Sequence, residues 1–124
     1  AYRSYQRSMR PALRVLEDAE DPLEDIRAQA GPPPQQLKRA ITRFLKARPA
    51  MVGTNPPPTL ASAHALLQSA WDLADNALKL RLRAVETGDQ ARSTEASAAA
   101  AGALMLSQRA RDDLAQAVKA PALP

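Results

Sequence analysis

The sequence contains no cysteine among its 124 residues. Disulfide bonds, cysteine nucleophiles, iron–sulfur clusters and cysteine-based zinc sites are therefore excluded together. The one histidine, His64, cannot make a typical zinc site alone, and the Glu-x-x-His pairs of carboxylate-bridged metal bundles are missing. With only four glycines there is also no glycine-rich loop of the kind that binds phosphates. We therefore expect no metal and no cofactor.

Arrangements that could support nucleophilic or acid–base catalysis are missing as well. No serine lies at a spacing from His64 that is typical of an activated nucleophile. Asp72 and Asp75 share one predicted helical face, and Asp75 lies four residues before Lys79, which favours a solvated ion pair over a catalytic pair of acids. From these observations we expect that the protein is not an enzyme.

Aromatic residues and long apolar runs are scarce. Tyrosine, phenylalanine and tryptophan together supply four residues, whereas alanine occupies 27 positions. Small side chains let helices approach closely but form strands poorly, so this composition predicts an all-α fold. The longest candidate for a membrane span, residues 96–106, falls short of the roughly 18 apolar residues required. The chain length predicts a single domain with one hydrophobic core.

Apolar residues near the N-terminus recur at alternating spacings of three and four, which predicts a helix over residues 2–30. Pro11 and Pro22 lie inside this helix, and each removes a backbone donor, so the helix must either kink or restart. A restart is plausible at Asp21, which could cap a helix that begins at Pro22. Because the apolar phase passes both prolines without a slip, we favour one kinked helix.

The rest of the chain divides into three helices over residues 35–48, 59–87 and 89–120 and an extended linker over residues 49–58. Pro49 is expected to end the shorter helix, and consecutive prolines prevent the linker from becoming helical. Gly88 suits the end of one long helix and Asp89 the beginning of the next. These lengths and the tight turn predict an antiparallel up-down helical bundle, coiled-coil-like, with three long helices and one short helix.

His64 and Trp71 are both predicted to lie on the apolar face of the helix over residues 59–87. A lone histidine at such a position is typical of a packed, hydrogen-bonded residue rather than of a metal ligand. For Trp71 we expect a core position, with an exposed contact site for a partner as the alternative.

Charge is distributed unevenly, although the net charge is only +4. No acid occurs between Asp25 and Asp72, and the predicted short helix carries five basic residues. If the first two helices form a hairpin, we expect acids of the first to neutralise most of these bases. The expected pairs are Glu24 with Arg39, Glu20 or Asp21 with Arg43, and Glu17 with Arg48.

Four arginines at steps of four, three and four form an arginine stripe on one face of the first helix: Arg3, Arg7, Arg10 and Arg14. No acid occurs among the first sixteen residues. In the predicted bundle Asp112 and Asp113 could meet Arg3 or Arg7, but two carboxylates do not satisfy four guanidinium groups. A solvated face is one interpretation, and a site for an anion, a phosphate backbone or a lipid headgroup is the other.

Long apolar seams rich in small residues suit helix–helix contact, so our leading hypothesis is a non-catalytic helical interaction or scaffold module. We expect a protein partner or self-association through the helices. The first alternative is a binder of polyanions, nucleic acid included, or of anionic membrane surfaces through the arginine stripe. The second alternative is a sensor bundle that holds a small ligand in a polar-lined cavity between helices.

The start of the chain at Ala1 rather than at methionine predicts a processed or excised domain of a larger or membrane-tethered bacterial protein. Such a domain favours an extracytoplasmic location. The positive-inside rule points the other way, because four arginines directly after a membrane span would favour the cytoplasmic side.

Overall fold

The computed structural model describes residues 2–119, and within them the chain forms helices joined by short connections without any strand. The all-α prediction is therefore confirmed. The helices are α1 (Tyr2–Asp18), α2 (Glu20–Arg27), α3 (Pro34–Gly53), α4 (Ala61–Thr87) and α5 (Gln90–Lys119), and a 3₁₀ turn (Pro58–Leu60) leads into α4.

The first predicted helix is bent where α1 meets α2. Only Ala19 separates the two helices, and its torsion angles, φ −83° and ψ −8°, stay close to helical. Helical backbone hydrogen bonds continue on both sides of Ala19. Pro22 has no N–H to donate to the carbonyl of Asp18, so one bond of the ladder is missing at the bend. One kinked helix is thus the better description, although it ends at Arg27 and not at residue 30.

The second helix is longer and the linker shorter than the sequence predicts, so the boundaries 35–48 and 49–58 are wrong. Pro49 lies inside α3 on its exposed side instead of ending it. The helix continues because Ala47 and Met51, on either side of Pro49, are both buried in the core. Their burial compensates for the proline, which disfavours a helix interior by about 3 kcal/mol.

The turn between α4 and α5 forms as predicted. Gly88 adopts a left-handed conformation with φ +69°, and its N–H donates to the carbonyl of Ala84 at 2.8 Å. The Oδ1 atom of Asp89 accepts the backbone N–H groups of Ala91 at 3.0 Å and Arg92 at 3.3 Å. Both caps are therefore confirmed; the predicted last residue of α5, at position 120, lies outside the described residues.

The α4–α5 pair makes the most extensive helix–helix contact in the described chain. Small residues allow this close approach, since six alanines at the contact are completely buried: Ala70, Ala74, Ala77, Ala96, Ala100 and Ala103. At Gly102 the helices are so close that an added Cβ atom would lie 3.1 Å from Cδ1 of Leu73. The predicted close packing of the last two helices follows from these contacts.

The larger core side chains come mostly from the other helices, with α1 packed on α3, α2 on α5, and α3 on α4. The rings of Phe44 and Trp71 meet with centroids 4.5 Å apart and an interplanar angle of 42°. Trp71 is only 5% exposed, so its predicted core position is confirmed.

Hydrogen bonds fix the α2–α3 loop against the start of α5. Oε1 of Gln29 accepts from the hydroxyl of Ser93 and from Nε2 of Gln90, both at 3.2 Å. Arg81 of α4 donates in turn to the Ser93 hydroxyl at 2.8 Å. The loop is thereby tied to both long helices.

Replacing Ala100 with leucine should lower the free energy of unfolding by about 1–3 kcal/mol, because the closely packed contact has no space for the added atoms. The neighbouring Ala101 is exposed. Ala101→Leu is the matched control, and its effect should stay within about 0.5 kcal/mol. Urea denaturation followed by circular dichroism measures both, and equal effects of the two substitutions would contradict the close-packing account.

Candidate functional site

All four residues of the arginine stripe lie on the exposed side of α1, away from the buried face that includes Tyr5 and Met9. Within residues 2–119 none of the four forms an ion pair. The expected contact of Arg3 or Arg7 with Asp112 or Asp113 does not form, and Asp112 instead accepts a hydrogen bond from Gln108 at 3.0 Å.

The predicted neutralisation of the basic second helix is wrong. Glu20 pairs with Arg111 of α5, and Glu24 pairs with Arg27 in its own helix at 2.6 Å. The reason is that α2 packs on α5, which directs Glu20 away from α3. The basic residues of α3 are all exposed, and none of them joins an ion pair within the described part of the chain: Lys38, Arg39, Arg43, Lys46 and Arg48.

A groove between α1 and α3 brings half of the arginine stripe together with bases of α3. Arg10 and Arg14 line it from α1, and Arg43 and Lys46 line it from α3. Its volume is about 430 Å³, and the apolar residues between these cations are Pro11, Val15 and Ala47. The spacing of the arginines in the sequence therefore predicted the α1 side of this groove, and the α3 side becomes apparent only in the fold.

The groove continues along α3 into a second depression of about 210 Å³, which shares Val15, Asp18 and Arg43 with the first. This part reaches Arg39 and Gln36. The groove follows α3 from Gln36 to Ala47, a length of about 17 Å at 1.5 Å per residue. We refer to the whole as the basic groove, with five cations and one acid in its lining: Arg10, Arg14, Arg39, Arg43, Lys46 and Asp18.

Small side chains explain why α1 and α3 leave a groove between them. α3 contributes Ala40 and Ala47, each 6% exposed, where a longer residue would fill the space. Arginine and lysine can lay their aliphatic stems along such an apolar surface while the charged groups remain in water. The signal that sequence reasoning could have used is the absence of acids between Asp25 and Asp72, which leaves α3 no acid of its own.

His64 is buried and hydrogen-bonded, as predicted, and does not belong to the groove. The Tyr5 hydroxyl and Nδ1 of His64 share a hydrogen bond of 2.8 Å, and the two rings meet edge to face. Burial lowers the pKa of His64 below its ordinary 6.5, so the ring is neutral in the fold at neutral pH. Burial, with a smaller contribution from the charge of Tyr2, raises the pKa of Tyr5 to about 12. This pair anchors the first turns of α1 to α4.

A cavity of about 310 Å³ lies between α1, α4 and α5. Its lining is mostly apolar, with Leu13, Leu16, Leu67 and Leu114, and its polar groups are Tyr2, Glu17, Ser107 and Arg111. The sensor alternative requires a polar-lined cavity, and in this one four leucines and one alanine face four polar residues.

Across residues 2–119 no cluster of three or more histidine and acidic side chains is placed to hold a metal ion. Within the same residues no helix combines the length and hydropathy needed to cross a membrane.

Comparison with known proteins gives no match to a family model, to a curated protein or to a solved structure.

The stability of the fold should depend on pH through His64. The pKa of His64 is lower in the folded chain, so as pH falls the unfolded chain binds a proton before the folded chain does. The stability that is present above pH 6.5 is therefore lost as pH falls from that value toward the folded pKa. Stability should therefore fall as pH is lowered from about 7 to 5.5, with a slope that steepens below pH 6.5 and stays under the one-proton limit of about 1.4 kcal/mol per pH unit. Urea titrations at several pH values measure it.

His64→Gln provides the control, because the chain has no other histidine. The variant loses the Tyr5 contact and some stability at every pH, but its unfolding free energy should no longer change over this pH range. The same slope in the variant and the wild type would refute the assignment to His64.

Proposed function

We propose that this chain is a non-catalytic helical interaction module that binds an anionic partner through the basic groove. One observation carries the proposal: five exposed cations from two helices line one apolar groove, with Asp18 as the single acid in the lining. Arg3 and Arg7 extend this positive surface along α1 beyond the groove.

The electrostatics favour a partner outside the described chain. A single exposed ion pair contributes only about 0–1 kcal/mol, so one unpaired arginine has little meaning. Several cations around one concave apolar surface, in contrast, combine into a local positive potential that attracts anions and accelerates their association. Of the four acids of α2, Glu20 and Glu24 are paired elsewhere, and Asp21 and Asp25 neither line the groove nor form an ion pair with α3 within the described residues.

The helices that present the groove are held by the core, which supports a preformed site. Met9 of α1 is completely buried and Phe44 of α3 is 2% exposed. A partner therefore does not have to order these helices, and less of the interaction free energy is lost on binding.

We infer an antiparallel up-down arrangement for the module. Glu20 meets Arg111 and the carbonyl of Arg27 meets Ser97, so residue numbers rise along α2 as they fall along α5. The expectation that the module belongs to a larger or membrane-tethered bacterial protein stays a prediction.

Binding should be salt-dependent and should require the groove rather than net charge alone. Fluorescence anisotropy with labelled poly-glutamate and a short duplex DNA, and sedimentation with phosphatidylglycerol vesicles, test the wild type at about 20 mM salt, where screening is weak. Arg14→Gln/Arg43→Gln should weaken binding about tenfold, since it removes one cation from each side of the groove.

The matched control is Arg83→Gln/Arg109→Gln, which removes two exposed arginines of α4 and α5 and lowers the net charge equally. Its affinity should stay within about twofold of the wild type. The proposal fails if the wild type binds none of the three probes, or if the two double variants weaken binding to the same extent.

A further inference from the structure

We infer that the partner segment is an acidic peptide of a protein, with apolar side chains interspersed among its carboxylates. This inference rests on the proposed function and names the class of anion that the basic groove selects.

The floor of the groove is strongly apolar in the first depression and of mixed polarity in the second. Pro11, Val15 and Ala47 lie between the cations in one half, and Ala19 and Pro22 continue the apolar surface in the other. An apolar side chain that covers this floor removes both surfaces from water, which is favourable. A phosphate backbone offers no such group there, so phosphates would engage the cations and leave the floor wet.

The cations form two rows with a regular repeat. Arg10 and Arg14 on α1, and Arg39 and Arg43 on α3, are each separated by four residues, which places their Cβ atoms about 5–6 Å apart within a row. Carboxylates three or four residues apart on a partner helix, or two apart on an extended strand, have a similar repeat. Arginine forms bidentate pairs with carboxylates, so this spacing suits acidic side chains on a peptide.

The shape of the groove also favours a single peptide. It is a furrow between two neighbouring helices, α1 and α3, and runs along α3. A flat bilayer or a rigid duplex follows such a furrow less closely than a peptide does. One peptide segment about 17 Å long, in contrast, can lie along the floor.

Asp18 marks one position of the groove at which a partner acid is disfavoured. It lines both depressions and is the one carboxylate among five cations. A partner acid placed beside it would be repelled, so the partner residue at this position should be neutral or basic. Asp18→Asn should therefore strengthen the binding of an entirely acidic peptide.

The experiment compares two labelled peptides of equal length and net charge. One alternates glutamates with leucines at helical spacing, and the other is glutamate-rich with serine in place of leucine; a short duplex DNA and phosphatidylglycerol vesicles are the other probes. The leucine-containing peptide should bind about tenfold more tightly than the serine-containing one, which corresponds to burial of one or two apolar side chains.

Two substitutions measure separately how the apolar floor and the charges of the groove contribute to binding. Val15→Thr replaces one methyl group of the floor with a hydroxyl and keeps the side-chain shape. It should therefore remove most of the difference in affinity between the leucine and serine peptides, while the affinity for the serine peptide stays within about twofold of the wild type. Asp18→Asn should tighten the serine peptide by about threefold or more. Circular dichroism verifies that both variants fold.

Each result decides a different claim. The acidic-peptide inference is overturned if the two peptides bind with equal affinity. It is also overturned if DNA or vesicles bind more tightly than the leucine-containing peptide and Val15→Thr does not change that binding. The proposed function stands in both cases. Failure of the wild type to bind any of these anions overturns the proposed function itself.

Discussion

The close contact between α4 and α5 determines how the other helices must pack. Its buried residues are largely alanines, and Leu73 lies over the bare backbone of Gly102. Alanine buries little apolar area, so this pair cannot supply a core of ordinary size by itself. Most of the larger buried side chains come from the other helices, such as Met9, Leu23 and Phe44, and form one core with those of α4. Because α1 and α3 direct their large residues inward, their arginines and lysines lie outward.

The bend at Ala19 then decides which charges neutralise each other. Because of the bend, α2 packs on α5, where Glu20 pairs with Arg111, while α1 packs on α3. Acids that could have faced α3 are thereby directed to another helix. Like charges from α1 and α3 are left along one groove, and the repulsion between exposed side chains is weak enough in water for the fold to tolerate it. The positive surface is a consequence of packing and not of net charge.

The parts of the fold that could be predicted from the sequence depend on local chemistry or on periodicity. The Gly88 and Asp89 caps, the core positions of His64 and Trp71 and the kinked first helix are of this kind. The prediction that α3 ends at Pro49 was wrong because burial of Ala47 and Met51, on either side of the proline, outweighs its local effect on the helix. The ion pairs were wrong because spacing gives the face of a helix but not which neighbour that face meets. For the same reason the arginine stripe was found, and the contribution of α3 to the groove was not.

Contacts beyond both ends of the basic groove anchor the segments that form it. Near the start of α1 a buried hydrogen bond joins Tyr5 to His64 of α4, and burial, which lowers the pKa of His64 and raises that of Tyr5, keeps both groups uncharged at neutral pH. At the other end Gln29 ties the loop before α3 to Ser93 of α5. Together with the buried faces of α1 and α3, these contacts hold in place the two segments that form the groove. In the proposed complex we therefore expect selectivity to depend on the spacing and apolar content of the partner more than on the number of its negative charges.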